Sequence, residues 1–185
     1  MVWYSICMEA KAIVFPKITS SVIEYCLLTT SFFIPFFISG PQLLTGILVN
    51  MLLFLFAMQT QSKKTFLVIL LPSLGALLNG FLFGKFTVFL MYFLPFIWIG
   101  NHALISFFRL FAKKNSPLFP VVGSSLIKFL VIFSAAYLLT FTKTVPLIFL
   151  QSMGLFQLYT ALIGGICAWG INTFFFKKIC QMKKN

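Results

Sequence analysis

Few residues in this chain carry groups capable of chemistry. There are two acids, Glu9 and Glu24, no aspartate, and one histidine, His102. General acid–base catalysis needs a positioned proton donor and acceptor, and no carboxylate follows Glu24 in the chain. A lone histidine supplies neither a multi-histidine metal site nor paired haem ligands. Cys7, Cys26, Cys167 and Cys180 form no C-x-x-C pair, so a thiol redox motif is absent. The expectation is a non-enzyme with no catalytic residues, no metal and no cofactor. Binding chemistry is what remains. Its candidate ligand-binding residues are Gln42, Thr45, Asn50, Trp98, Asn101 and Lys128, polar or aromatic groups set within long apolar runs.

The elements that must hold these residues are themselves apolar. Hydrophobic residues make up 61% of the 185 and charged residues 9%, against about 25% charged in a typical soluble domain. Such a chain cannot hide its apolar surface behind a water-facing shell. A bilayer core needs about 20 apolar residues per helix, and six stretches fit: 18–38, 41–58, 65–84, 86–108, 118–141 and 145–176. The expected fold is an all-α integral membrane protein, residues 1–185 forming one six-helix transmembrane bundle. The last stretch is long enough to tilt or to begin with an interfacial turn. The division at Gly84–Lys85 is the slightest of the five. The N-terminus lacks a cleavable signal pattern, so the first apolar run is expected to be a retained span, with Trp3 and Tyr4 as interfacial anchors.

The basic residues orient the bundle. Six spans place eleven of the 14 Lys and Arg on one side: Lys11, Lys17, Lys63, Lys64, Arg109, Lys113, Lys114, Lys177, Lys178, Lys183 and Lys184. Lys85 and Lys143 fall on the other, and Lys128 lies within the fifth span. Basic loops are retained in the cytoplasm, so both termini are expected there, in the cell membrane. The net charge of +12 is broken up by apolar runs, which points to anionic lipid rather than nucleic acid. The outer connections, Ser39–Gly40, Lys85 and Lys143–Thr144, are too short to hold a soluble domain, and no phosphate-binding G-x-x-x-x-G-K-[ST] loop is present.

Polar side chains at membrane depth are costly and face a bundle interior or a cavity. At about 1.5 Å per residue, Asn50 and Lys128 lie near the midplane, and Asn101 and His102 lie in the cytoplasmic half of the fourth span. Glu24 lies about two turns into the first. Two arrangements of Lys128 follow: an ion pair with Glu24, which fixes the bundle, or contact with an anionic or carbonyl group of a ligand. Glu24, His102 and Lys128 are accordingly a candidate intramembrane network. Asn50 and Asn101 suit interhelical hydrogen bonds as well as ligand contacts. Trp98 and Trp169 have the faces to stack on a flat ligand. Pro95, five residues before Gly100, kinks or interrupts the fourth helix. Ala161, Gly164, Gly165 and Ala168 make a small-residue face for close helix packing, within the protein or against a partner.

Three segments carry a resemblance: G-P-Q-L-L-T-G-I-L-V-N from Gly40 to Asn50, L-P-F-I-W-I-G-N from Leu94 to Asn101, and S-S-L-I-K-F-L around Lys128. With the six-span plan, they resemble the membrane-embedded substrate-binding subunits, or S components, of energy-coupling factor transporters, in an uncharacterised subgroup. The resemblance implies a subunit that binds a vitamin-like micronutrient within its bundle. It also implies a transmembrane coupling subunit and two cytoplasmic ATPases, which topple the subunit and release the substrate inside. The chain departs from the family in two places. Cys26 and Thr30 stand where the first helix often carries an A-x-x-x-A-like docking motif, and Met1-Val2-Trp3 replaces the Met-His start of nickel and cobalt members.

Two other functions suit parts of the sequence. A proton-coupled carrier acting alone would titrate Glu24, and a membrane accessory or assembly protein would pack its small-residue face against another complex. The orientation is directly testable by cysteine accessibility. In a background without the native cysteines, Lys143→Cys should react with an impermeant maleimide on intact cells, and Lys63→Cys only after permeabilisation.

Overall fold

A computed structural model describes residues 21–38, 41–60, 62–80, 84–112 and 118–182. Trp3, Tyr4, Glu9, the connection Ser39–Gly40 and the basic residues 11, 17, 113, 114, 183 and 184 lie outside the described residues. All regular structure among the described residues is helical. The helices are α1 (Ser21–Phe37), α2 (Gln42–Gln59), α3 (Thr65–Asn79), α4 (Leu90–Phe111), α5 (Leu118–Phe141), the short α6 (Ile148–Ser152) and α7 (Leu155–Met182), with a 3-10 turn over Gly84–Phe89 before α4.

Four segments are long and apolar enough to cross a membrane: Gln42–Gln59, Thr87–Phe111, Leu118–Phe141 and Ile148–Phe174. Val22–Phe37 and Thr65–Asn79 are apolar but shorter. The outer surface is correspondingly apolar, with Val22, Phe37, Leu78, Leu130, Tyr137, Phe141 and Phe174 all more than half exposed. These features make the chain a multi-pass membrane protein.

Several sequence boundaries move. The third apolar run does not reach Gly84. α3 stops at Asn79, and Gly80 takes a left-handed conformation (φ 72°) that ends the helix. Lys85 belongs to the 3-10 turn rather than to a one-residue connection, so regular α-helix resumes at Leu90 rather than Phe86. α4 then continues without interruption through Pro95 to Phe111. The final run begins with a separate short helix, α6, and a turn at Met153–Gly154 before α7.

The helices pack through small residues, as expected where lipid supplies little hydrophobic drive between them. The most extensive pairings are α4 with α5, α2 with α7, and α1 with α3. α1 and α3 run in parallel: Glu24 meets Lys64 near their starts, and Asn79 donates to the Phe36 carbonyl near their ends. α2 and α7 are also parallel, with Gly46 against Thr160 and Gln59 donating to Asn172. α4 and α5 are antiparallel, with Gly123 against Phe111 and Gly100 against Ile132. Consecutive long helices therefore reverse direction. Lys63, Lys64 and Arg109 gather at one end, hereafter the basic end, and Lys143 lies at the other.

The half toward the basic end is filled. Leu53, Phe54, Phe56, Val68, Leu104, Ile105, Phe108 and Val121 form a continuous buried cluster, within which Phe54 and Phe108 meet edge to face at 5.2 Å. A second cluster, including Phe93, Ile132, Phe149 and Met153, packs α4, α5 and α6 together toward the opposite end.

The small-residue face of α7 is used inside the bundle. Ala161 and Ala168 are fully buried. A β-carbon on Gly164 would lie 2.7 Å from the Ile47 carbonyl oxygen and 2.8 Å from the Met51 nitrogen. Backbone cannot yield as a side-chain tip can, so Gly164→Ala should destabilise the fold by about 1–3 kcal/mol. Gly170 has no neighbour within 4 Å of the same position, so Gly170→Ala should cost nothing. Thermal unfolding of the two variants in detergent checks the contrast.

Candidate functional site

Between α1, α2, α3, α4, α5, the α6–α7 turn and the start of α7 lies a cavity of about 90 Å³. Its polar lining includes Gln42, Thr45, Asn50, Ser73, Asn101, Lys128, Gln157 and Thr160. Five of the six candidate ligand-binding residues thus meet at one place, although they come from three helices and are far apart in the chain. Most lining residues come from the halves of their helices away from the basic end; Asn50, Asn101 and Lys128 sit deepest.

The floor is a chain of hydrogen bonds. Lys128 is 3% exposed, and its Nζ donates to Asn50 Oδ1 at 2.6 Å. An ammonium has only donors, so Asn50 must turn its carbonyl to Lys128 and its amide away. That amide donates to Thr160 Oγ1 at 3.1 Å and to the Gly46 carbonyl at 2.9 Å. Thr160 in turn donates to the Gln157 carbonyl at 3.2 Å. The chain ties α5, α2 and α7 together. It depends on Gly46, whose bare backbone admits Thr160 closely: a β-carbon there would sit 2.9 Å from Thr160 Cγ2.

The opposite wall is held separately. Asn101 Nδ2 donates to the Ile69 carbonyl at 3.1 Å. Trp98 Nε1 donates to Ser73 Oγ at 2.7 Å, and Ser73 donates to the Leu70 carbonyl at 2.9 Å. Trp98 therefore positions a wall residue and is not among the lining residues, so the expected stacking platform is not formed by it. At the end away from the basic residues, Gln42 Nε2 donates to the Ser152 carbonyl at 3.0 Å, across the α6–α7 turn.

Two lining atoms are buried without a hydrogen-bond partner, Thr45 Oγ1 and Asn101 Oδ1. Buried polar groups in native proteins are nearly always satisfied. Because Asn101 already donates its amide to Ile69, its free atom is fixed as an acceptor.

The predicted Glu24–His102–Lys128 network does not form. Glu24 pairs with Lys64 at 3.4 Å, because parallel packing of α1 and α3 brings their starts together. The Lys64 ammonium also lies 3.8 Å from the centre of the Tyr25 ring. Its pKa is raised above the usual lysine range, by Tyr25 first and then by Glu24. Lys128 lies too far along the bundle to compete, and Asn50 takes Glu24's place. His102 is exposed on α4, with Ser106 Oγ at 3.4 Å.

Sequence reasoning missed Ser73, Gln157 and Thr160. The pattern Gln157–Thr160–Ala161–Gly164 carried a signal: polar residues three apart, continuous with the small-residue face of an apolar helix. Arg109, at the basic end, donates to the Thr60 carbonyl at 2.8 Å and to Thr65 Oγ1 at 3.3 Å, joining α4 to the α2–α3 connection.

Comparison of this chain with protein-family models, curated proteins and solved structures gives no match.

Removing one partner of a buried charge-assisted bond leaves the other uncompensated. Asn50→Leu alone should therefore destabilise the protein by about 2–3 kcal/mol. Adding Lys128→Met should recover part of that loss, giving a non-additive double-mutant cycle in thermal unfolding.

Proposed function

We propose that this chain is the substrate-binding membrane subunit of an ATP-driven uptake transporter of the energy-coupling factor type, serving a vitamin-like micronutrient. In this proposal the two shorter apolar helices, α1 and α3, span the cell membrane along with the four long segments, and both termini are cytoplasmic. The ligand binds within the bundle at Asn50, Asn101 and Lys128, with Gln42 and Thr45 nearer the outer side. A transmembrane coupling subunit and two cytoplasmic ATPases supply the energy.

The observation that carries the proposal is the cavity itself. It has a polar floor near mid-bundle, lies toward the end away from the basic residues, and is backed by packed phenylalanine and leucine on the basic side. A subunit that captures a solute from outside needs this arrangement. The alternating helix directions and the basic loops at one end agree with the six-span orientation.

The features that would serve the other two functions are engaged elsewhere. Glu24, the acid a stand-alone proton-coupled carrier would use, is paired with Lys64 away from the cavity. The small-residue face that an accessory protein would present is packed against α2 and α5. Native mass spectrometry of the protein, gently extracted from its own membranes, should find a second membrane subunit and two ATPases bound to it. Uptake should require ATP and survive Glu24→Gln. A bundle that associates only with an unrelated membrane complex would overturn the proposal.

A further inference from the structure

The lining of the cavity restricts what it can hold. Its one ionisable side chain is Lys128, and no aspartate or glutamate is among the lining residues. One of the three ammonium donors is spent on Asn50 Oδ1. A cation buried this deeply is expensive without a counter-charge, and the only acid among the described residues is committed to Lys64. Lys128 is therefore the group in the lining that an anionic ligand would complement.

The two unpartnered atoms refine this. Thr45 is 3% exposed and Asn101 1% exposed, so water at the protein surface does not serve them. The Thr45 hydroxyl can donate to a carboxylate oxygen. Asn101 Oδ1 accepts only, so a donor on the ligand would complement it. The volume sets the size. A water molecule needs about 10–15 Å³ of such space, so a cavity of about 90 Å³ has room for a compact organic ligand.

We propose that the cavity binds a compact organic monocarboxylate bearing a hydroxyl or amino donor close to the carboxylate, with Lys128 and Thr45 on the anion and Asn101 Oδ1 on the donor. This deepens the substrate-binding proposal and rests on it. It excludes organic cations and halides as the preferred ligand. A cation would face Lys128, and a halide would leave Asn101 unsatisfied.

The test is equilibrium binding of radiolabelled lactate to the purified full-length protein in lipid nanodiscs, at constant ionic strength. Unlabelled lactate, lactamide, propionate and chloride serve as competitors. Lactamide keeps the shape and removes the charge; propionate keeps the charge and removes the donor. A charge-assisted hydrogen bond at a buried site corresponds to about tenfold or more in affinity. Lactamide should therefore compete at least about tenfold more weakly than lactate, and propionate should also compete more weakly. Lys128→Met should abolish lactate binding, and Asn101→Leu should erase the preference for lactate over propionate.

Lactamide competing as well as lactate would overturn the anion. Chloride competing as well as lactate would overturn the organic ligand, and no saturable lactate binding at millimolar concentration would overturn the class as a whole. The competitor series is run on the unmodified protein, so it decides even if Lys128→Met fails to fold. Its failure is also distinct from failure of the transporter proposal. A chain that ignores lactate yet remains bound to its ATPases overturns only the monocarboxylate. A chain that binds lactate selectively but has no ATPase partners supports this ligand class and overturns the transporter.

Discussion

An ammonium group buried in an apolar bundle cannot be left to itself, and the contact that answers this constraint organises the middle of the protein. Lys128 reaches Asn50 across the interior at 2.6 Å. That contact dictates which way the amide faces, and the amide then dictates where Thr160 must be. Three helices are registered by one short chain of polar atoms. The arrangement avoids a buried carboxylate, whose desolvation would add to that of the lysine. A neutral carbonyl offers the buried amine a strong acceptor, and Lys128 remains the one ionisable side chain in the cavity lining.

Around this chain, contact between helices depends on residues that are nearly absent as side chains. Gly46, Gly75, Gly100 and Gly164 each let a neighbouring chain approach to a distance a methyl group would forbid. In lipid, apolar bulk brings helices together only weakly, so shape does more of the work. The same close approach supports the polar floor. Asn50 is short and can reach both Lys128 and Thr160 only because α2 and α7 lie close together.

Much of this was legible in the sequence. Hydropathy alone placed α5 at Leu118–Phe141, the bounds observed. Membrane depth and polarity selected Asn50, Asn101 and Lys128, which do share a cavity. What hydropathy could not supply was pairing. Glu24 and Lys128 were each other's obvious counter-ions on charge alone, but the parallel contact of α1 with α3 gave Glu24 a nearer cation. Trp98 was a fair candidate for stacking until its indole nitrogen proved to be committed to Ser73. The end of α3 was obscured because Gly80 and Gly84 are both plausible stops, and only the backbone angle at Gly80 distinguishes them. Thr160 and Gln157 escaped notice because moderately polar residues in a long apolar run look unremarkable until their neighbour across the interface is known.

The interior is not uniform along its length. Toward the basic end, Phe54, Phe108, Leu104 and Val121 pack in one buried cluster, and none of them is among the residues lining the cavity. Under the proposed uptake function this makes the site a cul-de-sac: a solute held at Lys128 would have no path onward through the packed half of the bundle. Net movement across the membrane then requires either that this stopper be taken apart or that the whole bundle be reoriented with its contents in place. Disassembly would break several close aromatic and aliphatic contacts at once. Reorientation would leave them intact and carry the mouth of the cavity with the body.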